Sequence, residues 1–158
     1  MKDKILKRAK KEFLKNGVQS IFVQHLVIPL GISTKTFYKY FKNKEALLEE
    51  VLTMHYQTQF ETLKNYSETE NPVSLLMKIW AEAFLHENNV NNKFHYDLHQ
   101  YYPNVESNVR LSIRNDFWAE FKWIIEKGKN DGLILYEIQP DAMLESISLL
   151  YNSAVQTD

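Results

Sequence analysis

Seven residues within eleven positions carry side chains suited to a polyanion: Thr34, Lys35, Thr36, Tyr38, Lys39, Tyr40 and Lys44. Ammonium groups and tyrosine hydroxyls reach phosphate oxygens, and threonine and lysine can also bond base edges. Such groups act together only when one rigid element presents them. Here Gly31 is placed to turn the chain sharply, which usually needs a positive φ. Ser33 is a good N-cap, and a short helix is expected over about 34–40. Phe37 and Phe41, at i and i+4, are expected to face the core with Ile32, Leu26 and Phe13. The polar residues are left for the outer face.

The element before Gly31 carries Val23, Leu26, Val27 and Leu30 at i, i+3, i+4 and i+7. A helix over about 22–29, a glycine turn and a second short helix make a helix-turn-helix. Asn43 is placed to cap a longer helix over about 44–65, with Lys44 at its start, where free N–H groups and an ammonium can meet a phosphate. Upstream, Ile5, Ala9 and Phe13 form the buried stripe of a first helix that Gly17 can close. Residues 1–50 hold 11 Lys/Arg and 5 Asp/Glu, a net of +6, and residues 51–158 hold 8 and 15, a net of −7. A basic head on an acidic body points the same way as the motif.

The passage Gly31-Ile32-Ser33, the aromatic-rich stretch to Phe41 and then Lys44-Glu45-Ala46-Leu47 resembles the DNA-binding domain of TetR-family transcriptional regulators. The strong resemblance covers about residues 5–52. A looser one continues through Asp97-Leu98-His99-Gln100-Tyr101-Tyr102-Pro103 and the connector from Gly128 to Asp141. It implies an all-α chain: a three-helix DNA-binding domain over 1–50 and a helical effector-binding and dimerisation domain over 51–158. It implies that Thr34, Lys35, Thr36 and Tyr38 approach the bases while Tyr40 and Lys44 hold the backbone. The partners it implies are double-stranded DNA, a small-molecule effector and a second copy of the chain.

Two residues depart from the family pattern. Phe22 stands where the family usually has Thr or Ser, so the cap of the second helix is weakened or comes from Ser20. Pro29 falls late in that helix and is expected to kink it by pressing on the carbonyl of His25.

The body reads as helices throughout. Asn71-Pro72 opens one that runs to about His86, a short one covers about 93–102, and a long one covers about 105–129. Phe117, Trp118, Phe121, Trp123, Ile124 and Ile125 are spread around the long helix, which is expected to be surrounded. Leu133–Tyr136 is expected as a packed loop. A last helix over about 141–156 carries Met143, Leu144, Ile147, Leu150 and Tyr151. The family usually has at least one helix more, so the dimer contact is expected on this one and to be small. The aromatic content of the body suggests a pocket for an apolar or aromatic effector near Trp80, Tyr96, His99 and Trp118.

Other chemistries find little support. His95 and His99 have the i, i+4 spacing of helical metal ligands, with His86 nearby, but nothing completes a zinc set, and no metal or cofactor is expected. No nucleophile elbow, phosphate-cradling glycine loop or His-Glu-x-x-His motif is present, so an enzyme is not expected. The chain has no cysteine and no apolar run near the ~20 residues of a membrane span, which fits a cytoplasmic protein with no membrane partner. The competing expectation is a helical ligand-binding or interaction module whose head is degenerate at Phe22 and Pro29.

Overall fold

The computed structural model describes residues 1–64, 70–88 and 90–155, apart from the side chains at 59–64, 83–84, 86–88, 114, 116, 148 and 151–155. The described residues form helices and no strand: α1 (Lys2–Asn16), α2 (Val23–Val27), a 3-10 turn (Ile28–Leu30), α3 (Thr34–Tyr38), α4 (Lys44–Lys64), α5 (Pro72–Asn88), α6 (Asn92–Tyr101), α7 (Pro103–Asn130) and α8 (Pro140–Val155). The expected ends at 65 and 156, and the side chains of His86 and Tyr151, lie outside the described residues.

Local capping sets most boundaries. Gly17 closes α1 at φ 79°, its N–H donating to the Phe13 carbonyl. Asn43 Oδ1 accepts from the Ala46 N–H at 2.8 Å and starts α4. Asn71 Oδ1 accepts from the Val73 and Ser74 N–H groups, with Pro72 following at the first helical position. Asn91 does the same for α6 through the Lys93 N–H. Each such cap is worth about 1 kcal/mol.

Two expectations about the second helix change. Pro29 does not kink an α-helix. α2 ends at Val27, and Ile28-Pro29-Leu30 forms a 3-10 turn with proline in its first turn, where the missing N–H costs no hydrogen bond. Ser20 does not cap α2 either, because its hydroxyl donates back to the Asn16 carbonyl at 2.7 Å. Instead His25 Nδ1 accepts from the Phe22 N–H at 3.2 Å. This is half of a capping box; the phenylalanine side chain has no acceptor for the other half.

Two apolar clusters organise the chain. The first joins Ile5, Ala9 and Phe13 of α1 to Leu26, Phe37, Phe41, Leu47 and Val51, and continues into Val90, Phe94, Leu98 and Val109. It therefore runs across residue 50, inside the continuous helix α4. The second holds Leu75, Leu76 and Ile79 of α5, Phe121, Ile124 and Ile125 of α7, and Leu144 of α8. α7 touches α4, α5, α6 and α8. It is not surrounded, however: Leu111 is exposed and Trp123 is 44% exposed. The loop after it is also looser than expected. Ile134 packs against Gly128, while Leu133, Leu135 and Tyr136 face solvent.

Candidate nucleic-acid interface

The turn before α3 is built by backbone geometry. Gly31 adopts the left-handed conformation (φ 65°, ψ 28°), and the next N–H, of Ile32, donates to the Val27 carbonyl at 3.2 Å. An L-residue pays about 1–2 kcal/mol for that conformation, and glycine does not. Ser33 then caps α3: its Oγ accepts from the Thr36 N–H at 3.1 Å and lies 3.0 Å from the Thr36 hydroxyl.

Packing decides which face of α3 is free. Phe37 is fully buried and Phe41 nearly so, their rings 5.5 Å apart. Burying two phenylalanine side chains stabilises this seat by about 2–3 kcal/mol each. Thr34, Lys35, Tyr38, Lys39 and Tyr40 are left on the exposed side. Tyr38 is 57% exposed, its ring edge-on to Phe37 at 5.2 Å, so a core residue props up an outward-facing phenol. Thr36 is half-buried, and its hydroxyl is engaged by the Ser33 cap. Of the residues expected at the bases it is the one drawn into local structure.

α3 is shorter than expected, ending at Tyr38, and Tyr40 and Phe41 donate back to the Phe37 carbonyl. This tight exit delivers the chain to Asn43 and Lys44. Lys44, half-buried at the first position of α4, has its ammonium pushed below its ordinary pKa by burial, while the Asp97 carboxylate acts in the opposite direction. Lys35 and Lys39 form no ion pair among the described residues, so their charge is available to an external anion.

A short helix seated on two phenylalanines, with lysines and tyrosines outward and a capped helix start beside it, can lie against duplex DNA. Residues 5–51 match the family described as bacterial regulatory proteins, tetR family. The head of the chain is thus similar to a TetR-family DNA-binding domain. The matched residues include the helix-turn-helix of α2, the Gly31 turn and α3. A solved structure described as a TetR-family transcriptional regulator from Vibrio parahaemolyticus is similar over 99% of this chain and 87% of its own, at 19% identity and a TM-score of 0.66. The likeness in fold thus includes the body as well as the head. No curated protein matches the sequence.

The head is joined to the body by a contact whose pairing has no local signal in the sequence. Asp97 of α6 is 2% exposed. Its Oδ2 accepts from the Gln19 N–H at 2.7 Å, in the turn between α1 and α2. The Asn91 N–H donates to the Leu14 carbonyl at 2.9 Å beside it. The Asp97 carboxylate also presses on Gly17, where any Cβ would stand 2.7 Å from Oδ2. Burial raises the pKa of the neighbouring Tyr102 hydroxyl, and the charges of Glu45 and Asp97 add to the rise. Only the burial of Asp97 leaves a trace there: Phe94, Asp97 and Leu98 share one helical face, so a carboxylate sits in an apolar stripe.

The four residues expected at an effector pocket are distributed over three helices. Trp80 is half-buried on α5, and Tyr96 on α6 is 61% exposed beside Tyr101. His99 Nδ1 lies 3.0 Å from Glu106, which also accepts from Arg110 at 2.9 Å. Trp118 packs on Phe121 under the ammonium of Lys122. An open cleft of about 380 Å³ lies elsewhere, lined by Trp123, Glu126, Lys127, Asn130 and Asp131. Among the described residues no helix is long and apolar enough to cross a membrane.

Proposed function

We propose that this protein is a repressor that binds a two-fold operator as a homodimer and leaves it when a small apolar or aromatic molecule binds the body. The observation that carries the reading is the division of α3 into a buried Phe37–Phe41 seat and an exposed face of Thr34, Lys35, Tyr38, Lys39 and Tyr40. Lys35, Thr34 and Tyr38 are assigned to base edges, with Thr36 supporting them through the Ser33 cap. Lys39, Tyr40 and Lys44 are assigned to phosphates. Residues 1–50 are the reading head, and residues 51–158 hold the effector and the second subunit.

Support for the dimer comes from α8. Leu144 is buried against α7 and Met143 and Ile147 pack on the same cluster, while Leu149 on the outer side is 66% exposed. A second copy of α8 would cover that side. Support for the effector is the aromatic content of α5 to α7, near Trp80, Tyr96, His99 and Trp118. A ligand that prefers the conformation unable to span the operator lowers DNA affinity by linkage, typically ~1–3 kcal/mol.

The decisive experiment is selection of bound duplexes from a random pool. The expected product is an inverted repeat whose half-sites lie about one helical turn, ~34 Å, apart. A pool with no enriched sequence after repeated rounds would overturn the reading and leave the head as a packing scaffold.

A further inference from the structure

We infer that the outer face of α1 is a second DNA-contacting surface, which binds duplex phosphates without regard to sequence. The inference extends the DNA reading above to residues outside the helix-turn-helix. Lys4, Lys7, Lys11 and Lys15 are all exposed. At 3.6 residues per turn they fall within an arc of about 80° and run about 16 Å along the helix. The arc lies opposite the buried stripe of Ile5, Ala9 and Phe13, so the four ammonium groups form one ridge aimed straight out from the core.

No ion pair among the described residues neutralises this ridge. Among the described residues Glu12 takes Arg8 at 3.2 Å and Asn16 at 3.0 Å, Glu50 takes Lys2 at 2.8 Å, and Asp3, one turn before Lys7, forms no ion pair with the ridge. None of the four lysines has an ion-pair partner among the described residues. Like charges at i, i+3 and i, i+4 repel, so the arrangement weakens the helix that carries it. An external polyanion removes that repulsion. Each strand of B-DNA offers a phosphate about every 3.4 Å of axis, so the ridge spans several successive phosphates within reach of flexible lysine stems.

The test is the salt dependence of binding to a random-sequence duplex that lacks any selected operator. Replacing Lys4, Lys7, Lys11 and Lys15 together by glutamine should lower the slope of log K against log salt by about three to four units. Replacing the same four by arginine should leave the slope unchanged, and circular dichroism of both variants checks that α1 is intact. A glutamine variant whose slope falls by less than one unit, or a native protein that ignores random duplexes even at low salt, would overturn the inference. Failure of the operator reading looks different. In that case no sequence is enriched from a pool, yet random-duplex binding still depends on the ridge. If instead an operator is selected and the glutamine variant keeps its slope, the operator reading stands and the ridge does not.

Discussion

Replacing Gly17 by alanine should cost about 3–5 kcal/mol of stability, against about 1–2 kcal/mol for the same change at Gly31. Both glycines have positive φ, and only one has neighbours. Gly31 sits at φ 65° with nothing within 4 Å of the position a Cβ would take. Its alanine variant bears the left-handed conformation alone, about 1–2 kcal/mol. Gly17, at φ 79° and ψ 166°, lies in a region populated essentially by glycine, which costs other residues about 1–3 kcal/mol. Its Cβ would also meet Asp97 Oδ2 at 2.7 Å and Lys93 Cγ at 2.8 Å. Lys93 is exposed, and its stem can swing aside. Asp97 is buried and cannot move without giving up the Gln19 N–H. A hydrogen bond to a charged acceptor contributes about 1.5–3 kcal/mol.

Urea unfolding of both variants measures the difference, and a double-mutant cycle with Asp97→Ala isolates the collision. In the Asp97→Ala background the cost of Gly17→Ala should fall by more than 1 kcal/mol, because the oxygen it strikes is gone. If the two glycine variants cost the same within about 0.5 kcal/mol, the close approach of Asp97 to the head carries no energy and the reasoning fails.

Other perturbations separate the remaining roles. Lys44→Ala should weaken every duplex alike and reduce the salt slope by about one unit, which filter binding at several salt concentrations reads directly. Lys35→Ala or Tyr38→Ala should instead relax sequence choice, by about 1–3 kcal/mol at the affected base pair, when matched and mismatched operators are compared. Ser33→Ala should cost about 1 kcal/mol in thermal unfolding through loss of the α3 cap. Leu149→Arg should weaken self-association by about 2 kcal/mol, roughly thirtyfold, in sedimentation equilibrium; an unchanged dimer constant would place the interface away from the outer side of α8.

The parts of this molecule that could be read in advance are those set by near neighbours in the chain. Gly31, Ser33, Asn43 and Asn71-Pro72 each act on backbone groups within three residues, so their residue types declare their roles. The Phe37–Phe41 pair is similar, because one helical turn places both rings on one face. Pro29 declares itself a breaker by residue type, but the way the chain accommodates it is not declared. Whether a chain kinks an α-helix or shifts to a 3-10 turn depends on what the following residues can bond, and here Gly31 and Ile32 return to Ile28 and Val27. The exposure of Trp123 has another cause. Six apolar residues spread around α7 suggested burial on all sides, but burial depends on which helices pass by, and none covers enough of that ring to take it below 44% exposure.

The junction at Asp97 explains how a head with a poor second helix stays in place. α2 has five residues, no side-chain acceptor at its N-cap and a 3-10 turn at its other end. By itself such a helix is far below the length at which helices persist in water. Its position is therefore set by what holds its two ends. One end is held by the Gly31 turn and the apolar seat of α3. The other follows the turn at Gln19, whose N–H is bonded not by the head but by a carboxylate 78 residues later on α6. A bond of that separation has no signature in local sequence, which is why Phe22 looked like a defect. The capping that the head lacks at position 22 is offset by the body three residues earlier. It follows that the two regions divided at residue 50 do not stabilise α2 independently.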